Sequence, residues 1–112
     1  MRGYNRQAKQ LRALAHPVRL QLLEVLRQQP ACVCELVATT HKRQPYVSQQ
    51  LLVLRQAGLV KWEKRGLLVR YRLAGSEVTQ LIDDLQRMIL DPAEEGYIKP
   101  ADEILVQRGA QP

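Results

Sequence analysis

Residues 32–58, CVCELVATTHKRQPYVSQQLLVLRQAG, decide the fold of this chain. Residues 32 to 39 or 40 predict a short helix, and the polar residues 41–44 predict a turn. Residues 45–57 predict a longer helix, which Gly58 is suited to end. The residues expected to face the core are Leu36, Val37, Val47, Leu51 and Leu54. A short helix, a turn and a longer helix in this order predict a helix-turn-helix.

The apolar pattern changes from a helical to an alternating period beyond the second of these helices. Apolar and charged residues alternate over 60–63 and over 67–73, and Lys64-Arg65-Gly66 is expected to form the turn between them. This arrangement predicts a β-hairpin with a basic tip. The predicted fold class is therefore mainly α with a β-hairpin wing, a winged helix-turn-helix.

Two helices are predicted before this motif and one after it. The first covers residues 4–15, and the second covers residues 17–29, where Pro30 ends it. The last helix is predicted over residues 76–90, with Ser76 as its N-cap.

The last helix carries a nearly seven-residue apolar repeat that so small a domain has little core left to bury. We therefore expect a homodimer, and the alternative is that the repeat packs on the chain's own first helix. These elements together predict a winged DNA-binding and dimerisation domain over residues 1–90, followed by an acidic C-terminal tail over residues 91–112. The residues predicted to form the dimer contact are Leu11, Leu81, Leu85 and Met88.

The net charge of +6 is divided unevenly along the chain. Residues 1–74 carry a balance of +11, whereas residues 75–112 carry a balance of −5. A basic body of this kind suits a polyanionic partner. Because the sequence contains neither a membrane-spanning apolar stretch nor the apolar segment of a signal peptide, the expected location is cytoplasmic, with no membrane partner.

The second helix of a helix-turn-helix enters the major groove and contacts bases with its first turns. Glutamine and serine in these turns can pair with base edges, and basic residues nearby are placed for phosphates or the adjacent minor groove. The predicted DNA contacts are Gln44, Tyr46, Ser48 and Gln49 at the bases, Lys42 and Arg43 at phosphates, and Lys64 and Arg65 on the wing. The expected partner is double-stranded operator DNA.

The chain contains three motifs in a fixed order: LAHPVRLQLL at 14–23, CVCEL at 32–36, and VSQQL followed by LRQAGLV within 47–60. These motifs resemble the ArsR/SmtB family of metal- and metalloid-responsive repressors, and the similarity covers residues 8–90. The resemblance implies a homodimeric winged helix, not an enzyme, that binds an operator until an inducer releases it. Members of the family usually have histidine at the position of Gln50, and we expect this departure to affect DNA contact rather than fold.

Cys32 and Cys34 are separated by one residue, so a bond between them would join no distant segments. Cys32 is expected at the N-cap of the short helix, with Glu35 three residues later as in a capping box. A helix N-terminus favours the thiolate, which binds soft metals and reacts with oxidants. Within a regular helix the two side chains would point about 200° apart, so they can meet only if Cys32 precedes the helix or its first turn unwinds.

The family resemblance makes CVCEL similar to a cysteine box that senses arsenite, antimonite or a soft metal such as Cd, Pb or Zn, and no cofactor is expected to be required for folding. Val37 stands where a third cysteine often follows, so a third ligand would be His41, Glu35, a partner-subunit residue, water or a small thiol. Metalloid or metal sensing is the first interpretation of the pair, a thiol redox or persulfide switch is the alternative, and no sensing role is the third.

Two other classes of protein are alternatives to a repressor. A thiol-disulfide enzyme is disfavoured because no βαβ pattern surrounds the cysteines. A winged-helix interaction module without sensing remains an alternative, since the fold hosts such roles. The two differ in that a repressor loses DNA affinity steeply as salt is raised.

Overall fold

The computed structural model describes residues 2–88, and the predicted domain boundary at 90 and the tail over 91–112 lie outside this range. The described residues form a winged helix-turn-helix, which confirms the predicted fold class. The elements are α1 (Arg2–Leu14), α2 (Pro17–Gln28), α3 (Val33–Thr40), α4 (Gln44–Gln56), β1 (Val60–Arg65), β2 (Leu68–Leu73) and α5 (Ser76–Arg87).

The helix-turn-helix is built on fully buried apolar side chains. The α4 residues Val47, Leu51 and Leu54 and the α3 residue Leu36 are all fully buried. The connection between α3 and α4 bends at His41, whose φ of 60° places it in the left-handed region as the C-cap of α3. The predicted inward face of α4 is thereby confirmed.

His16 fixes the junction between α1 and α2. Its Nδ1 accepts a hydrogen bond of 3.1 Å from the backbone N–H of Val18, as an N-cap side chain does. Pro17 follows at the first helical position, where its missing N–H costs nothing. Local sequence alone therefore sets this helix start.

The β-hairpin turn lies two residues later than predicted. The strands pair antiparallel with Arg65 opposite Leu68, so Lys64 and Arg65 belong to β1 and the turn consists of Gly66 and Leu67. Gly66 has a φ of +62°, which a two-residue hairpin requires at its first position and which glycine adopts without strain. The prediction of a Lys64-Arg65-Gly66 turn was wrong for this reason.

The boundaries of the outer helices also differ slightly from the prediction. The helix α1 begins at Arg2 rather than at residue 4, and Gly75 rather than Ser76 is the N-cap of α5. The Gly75 carbonyl accepts from the N–H groups of Val78 and Thr79, which makes Ser76 the first helical residue. The last two residues of the predicted helix, 89 and 90, lie outside the described part.

The helix α5 is held against α2 by apolar and ionic contacts. Ile82 is buried in the core, and the Arg27 guanidinium lies 3.7 Å from the Asp83 carboxylate. Arg27 also donates to both carboxylate oxygens of Glu24, and these hydrogen bonds hold the pKa of Glu24 below its ordinary value. The outward face of α5 is thus set by contacts with α2.

Two adjacent leucines of α4 provide a test of this packing. Leu51 is 0% exposed and Leu52 is 43% exposed. We expect Leu51→Ala to lower the free energy of unfolding by about 2–5 kcal/mol, because it leaves a cavity in the core. Leu52→Ala is the matched control and should change it by less than about 1 kcal/mol. Urea denaturation followed by circular dichroism measures both, and equal losses would contradict the observed rotation of α4.

Candidate nucleic-acid interface and cysteine pair

The polar residues predicted to contact bases lie at the start of α4. Gln44 and Gln49 are exposed and Ser48 is half-buried, while Lys42 and Arg43 are exposed in the preceding turn. Burial of the leucine stripe turns this side of the helix outward. The start of α4 therefore presents glutamine, serine and two cations on one continuous surface.

Tyr46 differs from its neighbours because its ring is half-buried and its hydroxyl lies 3.4 Å from His16 Nε2. Since Nδ1 of His16 accepts from a backbone N–H, neutral His16 carries its proton on Nε2 and donates it to the Tyr46 oxygen. Tyr46 thus joins the start of α4 to the start of α2.

The wing carries more arginines toward solvent than the predicted Lys64 and Arg65. Arg65 is exposed and pairs with Glu63 at 2.9 Å. Arg70 and Arg72 of β2 join Arg65 around a shallow pocket of about 180 Å³. These two residues were not among the predicted DNA contacts, although their alternation with apolar residues of β2 is the signal that could have identified them.

The wing is hydrogen-bonded to the segment just before the cysteines. Ala31 N–H donates to Tyr71 O at 3.0 Å, and Tyr71 N–H donates to Ala31 O at 2.8 Å. Arg70 adds a hydrogen bond of 3.0 Å from Nη2 to the Pro30 carbonyl. The residue that precedes Cys32 is therefore paired with the wing.

Cys32 and Cys34 are joined by a disulfide, with their Cα atoms 5.4 Å apart. Cys32 has extended backbone (φ −85°, ψ 167°) and α3 begins only at Val33, so the sulfurs meet without any unwinding of the helix. Glu35 accepts from the Cys32 backbone N–H at 2.9 Å, as in the predicted capping box. Cys32 is buried and Cys34 is exposed, so a reagent in solvent reaches Cys34 first.

The two candidate third ligands do not join the sulfurs. Glu35 is engaged at the Cys32 N–H, and His41 is the C-cap at the other end of α3, about 10 Å away at 1.5 Å per residue. Within residues 2–88, no group of three or more histidine, cysteine, aspartate or glutamate side chains is arranged to hold a metal ion. A metal or metalloid would have to take any further ligand from outside this part of the chain.

Gln50 does not lie on the exposed surface at the start of α4, although its departure from the usual histidine was expected to affect DNA contact. It is 8% exposed, and its Oε1 accepts from Arg19 Nη1 at 2.8 Å. The expectation of a DNA contact was wrong because α4 turns Gln50 toward α2 and Gln49 toward solvent. The substitution affects an internal hydrogen bond instead.

Comparison with known proteins agrees with this architecture. The profile described as "Bacterial regulatory protein, arsR family" matches residues 16–61. The biofilm growth-associated repressor of Agrobacterium fabrum is 43% identical over 84 residues, which are 75% of this chain and 72% of that protein. This chain belongs to the ArsR family. The profile of this family describes bacterial regulatory proteins.

Other ArsR-family comparisons differ in how much of each protein they cover. The HTH-type transcriptional repressor SmtB of Mycobacterium tuberculosis is 46% identical over 74 residues, which are 66% of this chain but only 55% of SmtB. The homodimeric winged helix-turn-helix domain Mb0332 of Mycobacterium bovis has a TM-score of 0.75 and 28% identity, covering 87% of this chain and 90% of that one. The chain thus spans about half the length of SmtB and nearly all of the solved domain. None of the helices in the described range is long and apolar enough to cross a membrane.

The two cations that precede α4 allow a quantitative test. If Lys42 and Arg43 lie at phosphates, replacing either by alanine removes one contact. The decrease of log affinity with log salt should then become less steep, by about 1 in slope. Fluorescence anisotropy with promoter DNA at several salt concentrations measures this slope. Arg6→Ala, an equal change of charge on α1, is the control and should leave the slope unchanged. An unchanged slope in all three variants would remove these residues from the interface.

Proposed function

We propose that the chain is a DNA-binding transcriptional repressor whose operator complex is controlled by the cysteine pair. The observation that carries this proposal is the joint exposure of polar residues at the start of α4 and of arginines on the wing, on a body with a strong positive charge. These are the two elements with which winged helices contact DNA. SmtB and the Agrobacterium protein, both named as repressors, support the direction of regulation.

The repressor would act as a homodimer through α1 and α5. Leu11 and Met88 are 62% and 67% exposed, and Leu81 is also exposed. Between these helices lies an apolar groove of about 420 Å³, which includes Leu11, Leu20 and Leu85 in its lining. Large apolar side chains on one surface favour a protein partner, and the homodimeric Mb0332 makes a second copy the first candidate.

A single charge at this surface tests the dimer. Leu11→Asp should give a folded monomer, because a carboxylate would be buried without a partner at the interface. Leu67→Asp, the same change at the fully exposed tip of the wing, should stay dimeric. Sedimentation equilibrium measures both masses, and circular dichroism checks their fold. An unaltered dimer with Leu11→Asp would place the interface elsewhere.

The inducing event that the geometry favours is oxidation of the two thiols. Cys32 and Cys34 lose two electrons and two protons as the disulfide forms. A peroxide takes up these electrons and protons as its O–O bond breaks, and hydrogen peroxide is thereby reduced to two molecules of water. Cys34 is the exposed member of the pair and would react first, after which Cys32 resolves the sulfenic acid. The observation behind this choice is that Cys32 has extended backbone and precedes α3, so the two side chains lie on the same side while α3 is intact.

Two routes lead from the cysteines to the DNA-contacting elements. The helix α3 follows Cys32 directly and packs on α4. Ala31 precedes Cys32 and is paired with Tyr71 on the wing. Closing or opening the ring formed by the Cys32–Cys34 disulfide would change the backbone of Cys32, which lies between these two routes. Both DNA-contacting elements would therefore be displaced.

Capture of arsenite, antimonite or a soft metal remains the competing inducer chemistry. Two neighbouring thiols can bind such an ion, but the described residues supply no third ligand. A small thiol, water or a residue of the partner subunit would have to complete the site. The two chemistries differ because oxidation consumes the thiols and is reversed by a dithiol, whereas chelation leaves them reduced.

Operator binding of the reduced protein, titrated with peroxide, polysulfide, arsenite and cadmium, tests the trigger. We expect peroxide to lower affinity by about tenfold or more, the lower range of common allosteric coupling, with loss of two free thiols. Dithiothreitol should restore binding. Cys32→Ser and Cys34→Ser should bind the operator but not respond, and serine at position 32 still suits an N-cap.

Each other outcome has a definite meaning. Release by arsenite or cadmium with both thiols retained would replace oxidation by chelation as the trigger. Equal responses of the serine variants and the unaltered protein would refute the role of the cysteines while leaving the repressor intact. Weak DNA binding that does not depend on salt would refute the repressor itself and favour a protein-interaction module.

A further inference from the structure

Gln50 is an unusual residue for the inward side of α4. Among the described residues, only Thr40 and Gln50 are buried polar side chains, and Thr40 satisfies itself locally by donating to Leu36 O. The partner of Gln50 is Arg19, 31 positions earlier in the chain. A buried amide without its partner costs free energy, so this pair constrains the position of α4.

Arg19 donates two further hydrogen bonds to the end of α1. Nε donates to Ala13 O at 2.6 Å and Nη2 donates to Arg12 O at 3.3 Å. These carbonyls lie in the last turn of α1, where a cation is favoured by the helix dipole. One planar guanidinium thereby joins the end of α1, the start of α2 and the middle of α4.

A second hydrogen bond joins α1 to α4. Gln10 Nε2 donates to Ala57 O, the C-cap carbonyl of α4, at 3.2 Å. The residue that follows Gln10 is Leu11, which lies on the surface proposed for the dimer. Polar contacts therefore attach α4 at its middle and its end to the helix that would hold the partner subunit.

We infer that Arg19 and Gln50 are positioning residues that fix the orientation of α4 relative to the dimer interface and so set the half-site spacing that the repressor accepts. This inference rests on the proposed dimeric repressor. The two reading helices of such a dimer must enter successive major grooves about 34–36 Å apart. Moving one half-site by one base pair displaces it by about 3.4 Å and rotates it by about 35°, so a rigid attachment would reject it.

Operators with the half-sites moved by one base pair in either direction test this inference on the reduced, full-length protein. The unaltered protein should lose about tenfold or more in affinity at either shifted spacing. Gln50→Ala should lose about tenfold on the best operator, the size expected for a hydrogen bond to a charged group. Its penalty for a shifted spacing should fall to threefold or less. Gln50→Glu keeps an acceptor for Arg19 and should keep the sharp spacing optimum.

Arg19→Lys should broaden the spacing optimum at least as much as Gln50→Ala does, because it removes the planar link to Gln50 and also the donors to α1. The double variant should add little to Arg19→Lys, because the Gln50 interaction is already lost in it. Gln21→Ala, an exposed glutamine of α2, is the control and should match the unaltered protein. Thermal unfolding and sedimentation confirm that each variant is folded and dimeric. A purely structural pair would lower affinity equally at every spacing.

The failures of the two proposals are distinguishable. An unaltered protein without a spacing optimum would refute the dimeric repressor and the inference with it. A sharp optimum that Gln50→Ala and Arg19→Lys retain in full would refute only the positioning role. Loss of the optimum in Gln50→Glu as well would also count against it, because the acceptor for Arg19 is present in that variant.

Discussion

Burial of one apolar stripe on α4 determines what this chain presents to a partner. Val47, Leu51 and Leu54 are completely buried against the body of the domain. Because successive residues of a helix turn by about 100°, fixing these three side chains fixes every other direction along α4. Rotation by one residue would exchange the exposed Gln49 with the buried Gln50. The surface available to DNA therefore follows from leucine packing, not from the preferences of the polar residues themselves.

The same packing places the charged guanidinium of Arg19 close to the interior. An inward glutamine requires a donor, and Arg19 provides one while also capping α1. Sequence spacing did not predict this contact, because glutamine on a helix is ordinarily solvated and its partner lies on another helix. A histidine at this position would offer different donors and acceptors, so it would change how α4 is held.

Most predictions from local spacing agree with the structure, whereas contacts between distant residues were not predicted. The helix order follows from the apolar periods along the chain, and the interaction of Glu35 with Cys32 N–H depends on residues three positions apart. The hairpin turn was misplaced because the alternating pattern does not state which residues adopt positive φ. The pairing of Ala31 with the wing joins residues 40 positions apart, and no local pattern in either segment predicts it. The candidate site was thus predictable on α4 but incomplete on the wing.

The energy needed for control is comparable to that of the hydrogen bonds around the cysteines. A hundredfold change in operator affinity corresponds to about 2.7 kcal/mol. Two backbone hydrogen bonds join Ala31 to Tyr71, and Arg70 adds a third to Pro30. At about 1 kcal/mol net for each, weakening these three contacts in one redox state would suffice. Because Cys32 already precedes α3, a trigger of this size need not unwind the helix, and a shift of the backbone between α3 and the wing is enough.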